Sequence, residues 1–254
     1  MKKNKVRLAI TGITGKMGTA ILNIINQNNL NIILNGVIDI KNHIKTIKYG
    51  STQLNIKSNI YDIIHDFDVL VDFTNPEASL QYVQICQKYK KKIVIGTTGF
   101  NHDEKKQIVK ASNDISILWS ANFSQGINII NKLLQNITQI LCENFQSNVD
   151  IDIIEKHHKH KIDSPSGTAL FMKNIILTKY HQYHMTKNIN CHSIRAGDYS
   201  GEHQIIFSFA GEQIEFIHKT VNRIPFAKGV LQAAIWLSHV NKNGIYSMND
   251  VLGL

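Results

Sequence analysis

The segment Glu155–Ala169 concentrates side chains that can transfer protons and bind anions. It reads Glu-Lys-His-His-Lys-His-Lys-Ile-Asp-Ser-Pro-Ser-Gly-Thr-Ala and holds three histidines within four residues. Downstream of them, Ser166-Gly167-Thr168 stands at a predicted helix start, where N–H and hydroxyl groups can donate to an anion. Imidazoles and an ammonium beside such donors make a site for a carboxylate that also needs a proton donor.

Two other interpretations of these histidines remain open from the residues alone. They could bind a metal, but a structural zinc needs ligands that close a tetrahedron, and no companion cysteine or second histidine pair has finger-like spacing. We therefore predict no metal. They could also be solvated surface cations, although the Ser-Gly-Thr that follows favours a binding site.

A second candidate site lies near the N-terminus, where Gly12, Gly15 and Gly18 form the pattern G-x-x-G-x-x-G. A turn without side chains can bring the backbone and the positive end of a helix close to a pyrophosphate. Asp39 ends the second predicted strand, where a carboxylate can accept hydrogen bonds from an adenosine ribose. The alternative is a plain glycine turn with a surface aspartate, but strand, turn, helix and aspartate together favour a dinucleotide site.

Two later loops also follow predicted strands. Gly96-Thr97-Thr98-Gly99-Phe100 is one, and Ser120-Ala121-Asn122-Phe123 is the other. Ligands of doubly wound sheets bind at the carboxyl ends of the strands. Both loops are therefore candidates for binding the same ligand, although either could be a plain connection.

The elements that must position these residues alternate between strand and helix in the first half of the chain, which is typical of parallel βαβ units. Strands are predicted at Val6–Thr11, Ile32–Asp39, Val69–Phe73, Ile93–Gly96 and Ile115–Trp119, and helices at Met17–Asn26, Glu77–Lys90 and Asp103–Ala111. Asn75-Pro76 should cap the second helix.

The rhythm changes after Asn122. We predict a long helix over Gln125–Asn144, an extended run over Val149–Ile154 and a helix that opens at Ser164-Pro165-Ser166. A β-hairpin with strands His203–Phe209 and Gln213–Lys219 follows, and the last helix, Pro225–Val240, should have one buried face. We predict an α/β protein with a doubly wound parallel sheet and a second, α+β domain. Residues 1–124 and 225–254 should form the first domain and residues 125–224 the second.

Composition limits the class of protein. The chain has 254 residues, 43% of them hydrophobic, and a formal net charge of +9. Only three residues are arginines, so most of the charge is on lysine, which lacks the forked geometry that reads base edges; we predict no nucleic-acid partner. No apolar run is long enough to cross a membrane. The basic N-terminus leads into a strand instead of a signal-peptide core, and three widely spaced cysteines are typical of a cytoplasmic chain.

The chain resembles the 4-hydroxy-tetrahydrodipicolinate reductase family, also called dihydrodipicolinate reductase, of the diaminopimelate route to lysine. Nearly the whole chain takes part, and the most specific segment is Glu155–Ala169. The other matching segments are Gly12–Gly18, Val69–Thr74, Gly96–Phe100, Ala121–Ser124, Arg195–Asp198, Gly201–His203 and Phe226–Leu237. The resemblance implies a Rossmann-type coenzyme domain completed by the C-terminal helix, and a central domain that binds substrate and builds a homotetramer.

The resemblance also implies roles for particular residues. His157 and Lys161 match the residues that handle protons. His158, Gly167 and Thr168 match substrate contacts. The matches to coenzyme contacts, for NADH or NADPH, are Gly12, Ile13, Thr14, Gly15, Lys16, Met17, Asp39, Gly96, Thr97, Thr98, Ser120, Ala121, Asn122 and Phe123.

Two departures from the family pattern concern the choice of coenzyme. Lys16 stands where many members carry arginine, and Asp39-Ile40 replaces a common Glu-Arg pair. Asp39 should repel a 2′-phosphate and Ile40 offers no guanidinium, so we predict a preference for NADH, with some NADPH use if Lys16 or Lys41 reaches the phosphate. Two other functions remain alternatives: a Rossmann reductase for a different small acid, and a catalytically silent NAD-binding regulator. The presence of His157 and Lys161 disfavours the regulator.

Overall fold

The structure is a computed structural model, and it describes residues 5–28, 30–40, 44–145 and 149–254. Twelve strands and seven α-helices follow one another in the described chain, with a 3-10 helix at Ile60–Ile63. The strands are β1 (Val6–Thr11), β2 (Ile32–Ile38), β3 (Thr46–Tyr49), β4 (Thr52–Asn55), β5 (Val69–Asp72), β6 (Lys92–Ile95), β7 (Ser116–Trp119), β8 (Asp150–His157), β9 (Ile189–Arg195), β10 (Gly201–Phe209), β11 (Glu212–Thr220) and β12 (Gly244–Tyr246). The helices are α1 (Lys16–Gln27), α2 (Pro76–Lys88), α3 (His102–Ala111), α4 (Gln125–Asn144), α5 (Gly167–Gln182), α6 (Ile224–Ser238) and α7 (Met248–Leu252).

These elements form two compact units. The first runs to Ser124 and includes Ile224–Gly253, and the second is Gln125–Arg223. The first unit contains a parallel sheet in the order β12-β7-β6-β5-β1-β2. The chain returns past β1 after β2, so the topological switch point lies between β1 and β5. Ligands of doubly wound folds bind at this position, beyond the carboxyl ends of the strands.

The strands of the first unit are buried on both faces, as a sheet with helices on either side requires. Alternate residues of β1 divide between the two cores: Leu8 and Ile10 pack with α1 and α6, whereas Ala9 packs with the α2 and α3 side. Helix α6 therefore belongs to the first unit, although it follows the second unit in sequence.

The second unit has one mixed sheet, in the order β11-β10-β8-β9, with only β8 and β9 parallel. Inward residues of β8 and β10, such as Ile151, Ile153 and Phe207, form a core with α4 and α5. The opposite face carries the alternate residues, including Ile154, Gln204 and Ile217, which lie side by side in register. Ile217 is 50% exposed.

The predicted fold class is confirmed, and the differences are local. Asn75 caps α2 as expected, accepting a hydrogen bond from the N–H of Ala78. The extended run predicted to end at Ile154 continues to His157, so that histidine is the last residue of β8 and does not follow it. Pairing with β9 and β10 supplies hydrogen bonds through the polar end of this strand. Four short elements, β3, β4, β12 and α7, and the seven-residue β9 were not predicted. No helix in the described residues is long and apolar enough to span a membrane.

Candidate active site

The glycine turn between β1 and α1 has the close packing that a dinucleotide-binding turn needs. Gly12 has a φ of +67°, and a Cβ there would lie 2.4 Å from the carbonyl oxygen of Phe73. A Cβ on Gly18 would lie 2.4 Å from the carbonyl oxygen of Gly12. Helix α1 begins after Gly15 without a side-chain cap and without an acidic residue in its first turn. The helix end is thus suited to an anion, and the turn fits a coenzyme pyrophosphate.

Asp39 follows β2 directly and lies next to the same turn. One of its carboxylate oxygens accepts hydrogen bonds from the backbone N–H of Thr14, at 3.0 Å, and from its hydroxyl, at 2.6 Å. The glycine turn and Asp39 are therefore brought together, as the sequence predicts for a ribose-binding carboxylate. The bond to Thr14 fixes the direction in which the carboxylate points.

The two later loops also lie at the carboxyl edge of this sheet. Gly96 follows β6 and Ser120 follows β7. A Cβ on Gly96 would lie 2.1 Å from the ring of Phe73, so a larger residue there would have to displace that ring. Several of the predicted contacts have buried side chains, which leaves their backbone groups as the possible coenzyme contacts; these are Ile13, Thr97 and Phe123.

The segment that we predict to handle protons begins on the inner face of β8. Ile151, Ile153, Glu155 and His157 alternate toward the core, so the inward pattern changes from apolar to ionisable at the end of the strand. Glu155 is fully buried and forms a hydrogen bond with Nδ1 of His157. Since the carboxylate accepts the proton on Nδ1, Nε2 of His157 is the nitrogen available for proton transfer.

Arg195 holds the buried glutamate. Its two terminal nitrogens donate to the Glu155 carboxylate at 3.0 and 2.6 Å, and one also donates to the Asp163 carbonyl at 2.6 Å. Burial opposes ionisation of Glu155, but hydrogen bonds that include those from Arg195 and His157 outweigh it and lower the pKa of Glu155 to about 2. Burial lowers the pKa of His157, while the hydrogen bond and charge of Glu155 oppose that shift. An ionised Glu155 therefore faces a predominantly neutral imidazole in the free protein.

His203 of β10 extends this cluster. Its ring meets that of His157 edge-on at 5.3 Å between centroids, and its Nε2 lies 3.2 Å from the hydroxyl of Ser166. Burial, reinforced by the charge of His157, lowers the pKa of His203 to about 4. Ser166 also caps α5 through the N–H of Ala169. The cap thus links the helix start to the histidine pair.

Lys161 and the start of α5 share a different carboxylate. The Lys161 ammonium lies 2.7 Å from one oxygen of Asp163, and the N–H of Gly167 donates to the other at 3.4 Å. Gly167 is exposed and Thr168 half-buried, so both remain accessible. The N–H of His158 donates to the Tyr199 carbonyl, which ties the segment to the β9–β10 loop.

The structure brings the predicted proton-handling and substrate residues into one region of the second unit, because all five lie between the end of β8 and the first turn of α5. It does not form the metal site considered for the three histidines: in the described part of the chain, no three histidine, cysteine, aspartate or glutamate side chains are arranged to hold a metal ion. Sequence reasoning missed Arg195 and His203 as partners of Glu155 and His157. The period-two alternation of β8 was the signal that could have identified Glu155 as inward-facing.

Comparisons with known proteins cover the whole fold. Residues 6–123 match the family model described as dihydrodipicolinate reductase, N-terminus, and residues 126–252 match the one described as dihydrodipicolinate reductase, C-terminus. The 4-hydroxy-tetrahydrodipicolinate reductase of Wigglesworthia glossinidia brevipalpis is 45% identical over 99% of this chain and 96% of its own. The enzyme of the same name from Buchnera aphidicola subsp. Cinara cedri (strain Cc) is 42% identical over 98% of both chains.

Solved structures agree on the architecture. Dipicolinate-bound dihydrodipicolinate reductase from Paenisporosarcina sp. TG-14 superposes with a TM-score of 0.78 at 24% identity, covering 96% of this chain and 97% of that one. Aspartate semialdehyde dehydrogenase II from Vibrio cholerae superposes with a TM-score of 0.56 at 11% identity, covering 92% and 98%. The family matches span both units, and the chain belongs to the dihydrodipicolinate reductase family.

Proposed function

We propose that the chain is an NAD(P)H-dependent oxidoreductase that reduces 4-hydroxy-tetrahydrodipicolinate to tetrahydrodipicolinate, a step of the diaminopimelate route to lysine. The observation that carries this proposal is the buried Glu155–His157 pair beside the start of α5, in a chain whose full-length relatives are reductases of this name. The arrangement offers a proton donor next to groups that bind a carboxylate.

The coenzyme is a nicotinamide dinucleotide held by the first unit. We assign four segments to coenzyme binding: the turn Gly12–Met17, Asp39, Gly96–Thr98 and Ser120–Phe123. When bound, the nicotinamide supplies the hydride. The carboxylate of Asp39, oriented by Thr14, favours a ribose with free hydroxyls over one that carries a 2′-phosphate, so we propose a preference for NADH. Lys41, a possible partner for that phosphate, lies outside the described residues.

The second unit binds and protonates the substrate. Cationic and hydrogen-bond donor groups in this unit suit the two carboxylates of the substrate. They are the N–H groups at the start of α5 and the side chains of His158 and Lys161. The 4-hydroxyl group leaves as water, together with a proton from the neighbouring ring carbon, which gives the conjugated ring to which hydride adds. As hydride adds, negative charge builds on the ring and must be neutralised by a proton. We assign the proton to His157 Nε2 or Lys161, with Glu155 stabilising the imidazolium through Nδ1.

The direct test is coenzyme oxidation in the presence of substrate made freshly from pyruvate and aspartate semialdehyde. We expect loss of the reduced nicotinamide absorbance with NADH, and a smaller kcat/KM with NADPH. Lack of a signal with both coenzymes would contradict the function. A kcat/KM that favours NADPH by about tenfold, or about 1.4 kcal/mol, would contradict the preference alone.

Two variants test the catalytic assignment. We expect His157→Gln and Lys161→Ala each to lower kcat by about tenfold or more, because a positioned acid typically contributes about 10²–10⁴-fold. NADH affinity should stay near that of the wild type. If folded variants raise only KM, these residues bind substrate without transferring protons.

We also propose a cytoplasmic homotetramer assembled through the sheets of the second units. The cysteines support the compartment, because Cys86, Cys142 and Cys191 are free thiols. The sheet supports the assembly: strand β11 lies at its edge, and apolar side chains such as Ile217 lie on the face opposite the core.

A further inference from the structure

A buried aspartate with hydroxyl partners lies at the switch point of the parallel sheet. Asp72 ends β5 and is fully buried. Its Cα pairs in register with that of Thr11, the last residue of β1. Within the described residues the carboxylate forms no salt bridge. A charge in this position needs other partners, because an unsolvated carboxylate is strongly unfavourable.

Four hydroxyl groups supply those partners. Thr11 and Thr74 each donate to one carboxylate oxygen at 2.7 Å. Ser79 donates to the other oxygen, and so does Thr97, at 2.8 Å. A carboxylate can only accept, so all four hydrogens point inward. The hydroxyl of Thr97 is then left as an acceptor, and the N–H of Thr74 donates to it at 3.0 Å.

The partners come from several of the segments that surround the proposed coenzyme position. Thr11 immediately precedes the glycine turn, Thr74 lies in the β5–α2 connection, Ser79 lies in the first turn of α2, and Thr97 lies in the loop after β6. The glycine turn also packs on this connection, since a Cβ on Gly12 would lie 2.4 Å from the carbonyl oxygen of Phe73. One carboxylate therefore holds the end of β1, the start of α2 with the connection before it, and the loop after β6 in a single arrangement.

We propose that Asp72 is a positioning residue for the nicotinamide coenzyme, fixing the glycine turn and the Gly96–Thr98 loop in the conformation that binds it. Asp72 acts through Thr11 and Thr97 and does not touch the coenzyme. The side chain of Thr97 is only 4% exposed and is used internally, so its loop presents backbone groups to the ligand. The inference rests on the proposed coenzyme site, but not on the identity of the substrate.

Asp72→Asn is the most direct variant. The amide keeps the shape but replaces one acceptor oxygen with a donor, so at least one hydroxyl must reverse or lose its partner. We expect the Kd for NADH, measured by fluorescence titration without substrate, to rise by about tenfold or more, because the glycine turn and the Gly96–Thr98 loop lose the shared partner that holds their binding conformation. Inhibition by dipicolinate, measured at saturating NADH, should change by less than about twofold, and kcat at saturation should stay within about threefold.

Ser116→Ala is the matched control. Ser116 is 3% exposed, lies at the amino end of β7 and donates to the Lys242 carbonyl, away from the coenzyme edge. It should lower the melting temperature and leave NADH affinity unchanged. If Asp72→Asn binds NADH within about twofold of the wild type, or if Ser116→Ala weakens binding equally, Asp72 is only structural and the proposal is wrong.

Thr97→Val and Thr97→Ser keep the test decisive if Asp72→Asn fails to fold. Valine preserves the shape without the hydroxyl, whereas serine restores the hydroxyl. We expect Thr97→Val to weaken NADH binding by about five- to tenfold and Thr97→Ser to bind within about twofold of the wild type. Equal affinity of the two variants would overturn the proposal. Wild-type protein that binds NADH but reduces no substrate would contradict the proposed reaction and leave this inference standing.

Discussion

At the scale of single residues, the chemistry depends on how carboxylates are paired. Glu155 is buried and held by Arg195 and His157, whereas Asp163 is 56% exposed at its side chain and holds Lys161. Nδ1 of His157 binds the ionised Glu155, which leaves Nε2 as the nitrogen for proton transfer. The Glu155–Arg195 pair is a fixed support, whereas we propose that a substrate carboxylate can replace Asp163 beside Lys161.

The pH dependence of turnover tests His157 as the acid. Burial places the pKa of His157 below 6.5 in the free protein, so its protonated form is lost as pH rises through that lower value. A bound dianion favours the imidazolium and raises this pKa. We expect kcat/KM to fall with rising pH through an apparent pKa below 6.5, and kcat to fall at a higher pH. The assignment would be contradicted if kcat and kcat/KM fell at the same pH, or if the fall of either with pH persisted in His157→Gln.

Asp163 occupies the groups that we assign to the substrate. Its carboxylate bridges the Lys161 ammonium and the N–H of Gly167, as a substrate carboxylate would. We expect Asp163→Asn to lower KM for substrate and Ki for dipicolinate by about two- to fivefold, because an exposed ion pair contributes at most about 1 kcal/mol. Asp103→Asn, at the exposed Asp103–Lys106 pair of α3, is the control and should change neither constant. A higher KM in Asp163→Asn would show that Asp163 supports Lys161 and does not compete with substrate.

The residue types of the site could be predicted, and their partners could not. Three histidines, three lysines and a Ser-Gly-Thr helix start stand within one short segment, so the sequence indicates proton transfer and anion binding. Arg195 and His203 reach Glu155 and His157 only because β9 and β10 pair with β8. Such pairing is a non-local property that spacing along one segment does not contain.

At the scale of elements, long periodic segments were predictable and short edge elements were not. The βαβ alternation and α4 follow from apolar periodicity, which reports burial on one or both faces. The strand β9 alternates half-buried and exposed residues with little apolar contrast, and β12 has only three residues. Strand β9 is positioned by pairing with β8, and β12 by pairing with β7. In each case the neighbouring strand supplies hydrogen bonds that the local sequence does not specify.

The histidine contacts between β10 and α5 should make the second unit sensitive to acid. The pKa of His203 is about 4 in the folded protein and 6.5 in its usual state, so the unfolded chain takes up the proton first as pH falls. Stability is then lost as pH drops from 6.5 toward 4, by up to about 3 kcal/mol for this residue. We expect His203→Gln to show a smaller loss of unfolding free energy between pH 7.5 and 4.5, measured by urea titration. His181→Gln, at an exposed position of α5, controls for the removal of a histidine. Equal losses in wild type and His203→Gln would contradict the mechanism.

At the scale of the whole molecule, the two units contain different kinds of candidate functional group. The first supplies a glycine turn and loops at the edge of a parallel sheet, and the second supplies ionisable side chains at the end of β8. The sheet of the second unit differs from that of the first in having helices on one face only. On its other face, Lys156, Glu202 and Lys219 form a charged row beside the Ile154–Gln204–Ile217 row. A face of this kind suits self-association, because apolar centres with charged margins are typical of interfaces.

A charge placed on that face should separate the subunits. We expect the wild type to sediment at about four times the 28.8 kDa chain mass at micromolar concentration. Ile217→Asp buries a carboxylate in the proposed interface, at a cost of several kcal/mol if it remains unpaired, and should shift the distribution to smaller species. Val109→Asp is the matched control, because Val109 of α3 is also 50% exposed but lies in the first unit. A monomeric wild type, or a tetramer that Ile217→Asp leaves intact, would show that this sheet face does not hold the subunits together.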